Sequence, residues 1–254
     1  MSIKFHIIVP ARLASSRLPG KLLLDIAGKT VIERVCLQAL QSHPATLVVA
    51  TDSMQIYEHV NAIGVKVVLT SASHASGTDR IAEVVGKLDY HPDDIIVNLQ
   101  GDEPFIDRRL IIQVAACLAN NQDLSMATLC WPIFDTELLN NPHVVKVVRD
   151  RFNFALYFSR QAIPAWRDKP VLQLQRYKFL RHIGIYAYRA AFLLELVQIP
   201  PCDLELLESL EQLRVLWMGH KIYVDDATVA PTYDINTAQD LQLARQFIAS
   251  LGEV

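Results

Sequence analysis

The sequence predicts an α/β protein built on a doubly wound, mostly parallel mixed sheet. Three observations predict it. Short, near-continuous apolar runs recur at residues 5–9 (FHIIV), 46–50 (TLVVA), 66–69 and 94–99 (DIIVNL). Between them, residues 31–40, 53–63, 78–88 and 108–118 carry apolar side chains at helical spacing. A polar, basic stretch with turn residues, 10–20, follows the first run directly. Strands that are apolar on both faces and alternate with helices belong to a parallel sheet covered on both sides. Such sheets bind ligands at the carboxyl ends of their strands.

The second half is less regular. Residues 144–148, 154–158, 182–188 and 221–224 suit strands, and 204–217 and 237–249 suit helices. Asn236 or Thr237 is a candidate N-cap for the last helix. Residues 164–177 form a polar loop with two prolines. No repeat, low-complexity tract or linker divides the 254 residues, so one domain over 1–254 with a small inserted lobe is expected.

Composition excludes several function classes. With 51% hydrophobic and 20% charged residues, the chain suits an ordinary soluble protein. A net charge of -3 lacks the basic excess of a non-specific nucleic-acid binder. Cys36, Cys117, Cys130 and Cys202 form no Cys-x-x-Cys pair, so reduced, buried thiols are expected rather than a zinc site or a disulfide framework. The opening MSIKFHIIVP lacks the pattern of a secretory signal, and no apolar stretch approaches the ~20 residues of a membrane span.

Three segments carry chemistry. In Pro10-Ala11-Arg12-Leu13-Ala14-Ser15-Ser16-Arg17-Leu18-Pro19-Gly20-Lys21, the cations Arg12, Arg17 and Lys21 follow a buried strand, with turn residues between them. That pattern suits a triphosphate, and composition alone would suit a solvated loop equally well. Ser76-Gly77-Thr78-Asp79-Arg80 opens the third helix, where it can cap the helix or hold a base edge or phosphate. Asn98-Leu99-Gln100-Gly101-Asp102-Glu103-Pro104 ends the fourth strand, with Gly101 allowing a tight turn that projects Asp102. A carboxylate opposite a basic loop is what a magnesium–triphosphate site needs. Gly28-Lys29-Thr30 is no P-loop, because Leu23 stands where that motif needs glycine; it is a turn before a helix.

Taken together, these segments resemble the CMP-KDO synthetases (3-deoxy-manno-octulosonate cytidylyltransferases). The resemblance runs through PARLASSRLPGK, ATD at 50–52, SGTDRIAEV, VNLQGDEP, NPHVVKVV, ALYFSR, FLRHIGIYAYR and LESLEQLRVLW, in order. The first block alone also fits CMP-sialic acid synthetases; RHIGIYAYR and LEQLRVLW point to KDO. The resemblance implies a nucleotide-diphospho-sugar transferase-like fold with a dimerisation lobe. It also implies CMP transfer from CTP to KDO, a magnesium cofactor, a homodimer and a Gram-negative cytoplasm, with no nucleic-acid or membrane partner.

By the same resemblance, Arg12 and Lys21 bind the CTP phosphates, with Arg17 near them. Pro10, Ala11, Ser76 and Arg80 frame the cytidine, and Asp102 is the first metal ligand. Gln100, Arg160, His182, Tyr186, Glu211 and Gln212 hold the sugar acid, Arg160 matching its carboxylate and the others its hydroxyls. One position departs from the family. Where Val-Asp-Thr is usual before the last helix, this chain has Ile235-Asn236-Thr237, so a neutral carbonyl oxygen replaces a second carboxylate. Asn236, Asp234 or a water molecule is expected to complete the metal site.

Overall fold

The computed structural model describes residues 3–15, 17–167, 174, 177–232 and 234–250. Strand β1 (His6–Ala11) runs through the middle of the main sheet, which explains why it is apolar on both faces. Ile7, Val9 and Ala11 face one core and Ile8 faces the other. Each fully buried Ile or Val here contributes roughly 1.5–3 kcal/mol relative to exposure.

A short hairpin, β2 (Asp25–Ile26) and β3 (Lys29–Thr30), turns through Ala27 and Gly28, both with positive φ. Thr30 then caps helix α1 (Val31–Gln41), its hydroxyl accepting from the Glu33 amide at 3.2 Å. Gly28-Lys29-Thr30 is therefore a turn and a cap, as the sequence predicts. Next come β4 (Thr46–Thr51), α2 (Met54–Ala62), β5 (Lys66–Leu69), α3 (Gly77–Lys87), β6 (Ile95–Asn98) and α4 (Arg108–Ala119). These match the predicted elements to within one residue at each end, apart from the first strand, which runs on through Pro10 and Ala11.

The chain continues with β7 (Met126–Pro132), α5 (Thr136–Asn140), β8 (Lys146–Arg149), β9 (Ala155–Ser159) and β10 (Leu180–Arg189). It ends with α6 (Ala190–Leu196), α7 (Asp203–Glu208), α8 (Gln212–Trp217), β11 (Tyr223–Asp226) and α9 (Ala238–Ser250). Elements β7, α5 and α6 are not among those the sequence predicts. Most of the predicted loop 164–177 lies outside the described residues. Among those described, the main sheet is ordered β11-β7-β10-β6-β1-β4-β5. Strands β5, β4, β1 and β6 are parallel, β10 is antiparallel to both β6 and β7, and β11 is parallel to β7. The sheet is thus mixed and mostly parallel. Strands β8 and β9 form an arm hung from β10, which corresponds to the expected lobe.

The predicted single helix 204–217 is two helices. Ser209 adopts φ 51°, and the Leu210 amide reaches back to the Glu205 carbonyl at 3.2 Å. The Arg160 guanidinium takes the Glu208 carbonyl at 2.6 Å and the Ser209 carbonyl at 3.3 Å, replacing the bonds that a continuing helix would supply. Across the break, Arg214 in α8 makes a two-pronged bond to Glu205 in α7, both contacts at 2.7 Å.

Two turns aim the site. Gly20 has φ 65° and leads directly into Lys21. Gly101 is required for space rather than for an unusual turn: a Cβ there would lie 3.0 Å from the Pro10 carbonyl oxygen. The end of β1 and the loop after β6 therefore approach each other closely. Among the described residues, no helix is long and apolar enough to cross a membrane.

Candidate active site

The carboxyl ends of β1 and β6 and the start of α3 enclose a cleft of about 340 Å³. Strand order reverses beside β1, where ligands of doubly wound sheets bind. One end of the cleft is charged. Lys21 forms an ion pair with Asp102 and donates to Asn236 Oδ1 at 3.2 Å. Arg17 donates to the same oxygen at 2.9 Å, and exposed Arg12 stands on the wall above. The loop after β1, the loop after β6 and the turn before α9 thus meet at one point.

The wall of the cleft also includes Pro10, Ala11, His74, Ser76, Arg80 and Gln100. Ser76 caps α3, exchanging hydrogen bonds with Asp79 in a reciprocal box. Arg80 is buried, and its guanidinium is fixed by Asp52 at 2.7 Å and by the Thr70 hydroxyl. Asp52 belongs to the ATD run at 50–52, yet nothing in the sequence assigned it this contact.

A second cleft, of about 210 Å³, adjoins the first and shares Gly77, Gln100 and Glu211 with it. Tyr186 and Gln212 also line it, so four of the six residues predicted to hold the sugar come together here. The Thr78 hydroxyl donates to Glu211, tying the start of α3 to the turn before α8. Burial pushes the Glu211 carboxyl up, against the Thr78 hydrogen bond, and it pushes the Tyr186 and Tyr188 hydroxyls up as well. A carboxyl that keeps its proton to higher pH can donate to a hydroxyl as well as accept from one.

Arg160 and His182 are not on the wall of either cleft. Arg160 is spent on the carbonyls of Pro142, Glu208 and Ser209, so it braces the turn that precedes Glu211. His182 bonds the Thr128 hydroxyl at 2.9 Å and packs edge-on against Phe158; burial, then Arg181, lower it to about 3. Thr78, Asn98 and Tyr188, which sequence reasoning missed, line the second cleft. Asn98 and Thr78 stand inside the segments the sequence singled out, which was the available signal.

Asp234 lies off the cleft wall. Its side chain reaches solvent while protein surrounds it on most sides. Desolvation, then the like charge of Asp102, push it up to about 6, with Arg181 and Lys21 opposing. Glu103, beside Asp102, is raised by burial and by the charges of Asp234 and Asp102.

A doubly wound sheet with a basic loop after its central strand, a carboxylate facing that loop and a second polar cleft against the first defines a nucleotidyltransferase. The cytidylyltransferase family model matches residues 6–222. The chain is 55% identical over 254 residues, all of both chains, to a 3-deoxy-manno-octulosonate cytidylyltransferase of Legionella pneumophila (strain Corby). It is 49% identical over 248 residues, 96% of this chain and 98% of the other, to the protein of that name from Idiomarina loihiensis. A solved CMP:2-keto-3-deoxy-manno-octonic acid synthetase complexed with CTP matches at TM-score 0.90 and 40% identity, covering 98% of this chain and 99% of that one. The chain belongs to the 3-deoxy-manno-octulosonate cytidylyltransferase family.

Proposed function

We propose that the protein transfers CMP from CTP to the anomeric hydroxyl of KDO, releasing pyrophosphate and supplying CMP-KDO for lipopolysaccharide assembly. The observation that carries this is the pair of adjoining clefts, one ending in cations and the other lined by hydroxyl-bonding groups, sharing the wall formed by Gly77, Gln100 and Glu211. The first cleft takes CTP, with Arg12, Arg17 and Lys21 on its phosphates and Pro10, Ala11, Ser76 and Arg80 around cytidine. The second takes KDO against Gln100, Tyr186, Glu211 and Gln212. Arg160 and His182 act on the sugar indirectly, through the turn before Glu211 and through the packing of Tyr186.

In the reaction, the anomeric oxygen bonds to the α-phosphorus as the bond to the bridging oxygen of pyrophosphate breaks, and the hydroxyl's proton passes to water. Holding both substrates against one wall replaces a chance encounter with a fixed approach. Arg12 and Lys21 stabilise the charge that gathers on the leaving pyrophosphate.

The donor set suits a magnesium ion that arrives with the nucleotide. Asp102 and Asn236 both offer an oxygen to the Lys21 ammonium, so their oxygens already converge on one cation. Among the described residues, no cluster of three or more His, Cys, Asp or Glu could hold a metal. Asp102 and Asn236 would hold the ion together with phosphate oxygens and water. When bound, it would neutralise the triphosphate and polarise the α-phosphorus. Asn236→Asp should tighten Mn²⁺ binding without nucleotide by roughly tenfold, read by calorimetry, because a second carboxylate adds charge to the site. Unchanged binding would remove Asn236 from the metal site.

The arm of β8 and β9 together with α7 supports a homodimer: Leu156, Leu206 and Leu207 are 62%, 64% and 82% exposed. Four free thiols suit a cytoplasmic setting. Pyrophosphate release from CTP and magnesium, with and without KDO, tests the proposal. KDO-dependent release supports it. Release only with another acid sugar would move the acceptor, and none with any sugar would make the chain a non-catalytic relative whose weak point is Asn236.

A further inference from the structure

His74 lines the first cleft, in the loop between β5 and α3. Its Nε2 is hydrogen-bonded to Glu83 of α3. Glu83 is itself anchored, by the Ser71 amide at 2.9 Å on Oε2 and by Lys87 at 2.6 Å on Oε1. Although desolvation opposes it, the hydrogen bonds from Lys87, Ser71 and His74 hold the Glu83 carboxyl down at about 2. An ionised carboxylate only accepts, so the proton between the pair sits on Nε2, and a ring without a second proton leaves Nδ1 as an acceptor. Among the described residues, no side chain or amide occupies that nitrogen.

The chemistry of the ligand then selects what Nδ1 meets. A triphosphate chain offers no proton to an acceptor. A nucleoside offers three donors: the two ribose hydroxyls and the cytosine amino group. We infer that His74 is a nucleoside-positioning residue, whose Nδ1 accepts a hydrogen bond from a ribose hydroxyl or the cytosine amino group while Glu83 locks the ring in the tautomer that can accept. The inference rests on the proposed CTP site and adds to it a residue that reads the nucleoside rather than the phosphates.

The test separates acceptor from scaffold. His74→Gln keeps a donor that can reach Glu83 and loses the Nδ1 acceptor; Glu83→Gln keeps the ring and unlocks its tautomer. For each protein, KM and kcat are measured with CTP, UTP, 2′-deoxy-CTP and 3′-deoxy-CTP, the last three each lacking one of the candidate donors. His74→Gln should raise KM for CTP about tenfold, the value of one lost hydrogen bond, with kcat within about threefold. It should also lose most of the wild-type discrimination against one of the three analogues. Glu83→Gln should move the same two quantities in the same direction. ¹⁵N NMR should show the His74 ring protonated on Nε2 in the wild type, and not locked so in Glu83→Gln. Equal weakening of all four nucleotides, or an unchanged KM, would overturn the inference. A wild-type protein that does not bind CTP would sink the CTP site itself, which is a separate and recognisable result.

Discussion

Replacing Asp102 with asparagine is expected to lower turnover by roughly 10²–10³-fold while leaving the fold intact. Asp102 is the carboxylate on which Lys21 closes, and Asn236 beside it is already neutral. The substitution would leave that point of the cleft with two amides and no negative charge to gather a cation. Lys21 and Arg17 would remain to bind phosphate, so the loss should fall on kcat more than on KM for CTP. Steady-state pyrophosphate release, with circular dichroism as the folding control, checks this. More than a tenth of wild-type turnover would take Asp102 out of the reacting centre.

Arg214→Met should cost about 3–5 kcal/mol of stability, the usual penalty for stranding one partner of a buried ion pair. Arg214 and Glu205 are both buried, and the pair is the bond that crosses the break between α7 and α8. Without the guanidinium, the buried Glu205 carboxyl is left without its partner, and the Ile199 carbonyl loses its 2.6 Å donor. Urea denaturation measures the loss. The double replacement of Glu205 and Arg214 by methionine should recover most of it, since no unpaired charge is left. If the double variant were as unstable as the single, packing rather than charge would hold the two helices.

That break also marks where the sequence stopped being legible. Residues 204–217 have helical periodicity throughout, and nothing local forbids one helix. The interruption comes from Arg160, some fifty positions away, taking two carbonyls. Strand β7 was missed for a related reason: Met126, Ala127 and Cys130 have weak strand preference, and burial between β10 and β11 decides their conformation. The parallel half was legible because its strands are apolar on both faces and its helices keep their period. In the site, the two segments at strand ends and the one that opens α3 were legible for the same topological reason. His74 and Asp52 were not, because each matters through a partner on another element, Glu83 or Arg80. Gly101 sits in the predicted turn, and its lack of a side chain also lets β1 and the loop after β6 touch, which a sequence does not show.

The hydrogen bond from Thr78 to Glu211 has a thermodynamic meaning. It joins the helix that opens the first cleft, proposed for the nucleotide, to the turn that walls the second, proposed for the sugar. Any shift in that bond when one substrate arrives is felt by the other. Free energy being a state function, the factor by which the sugar changes nucleotide affinity equals the factor by which the nucleotide changes sugar affinity. On the proposed assignment the product would span both clefts, so the coupling that this bond carries between the substrates would also act on product release.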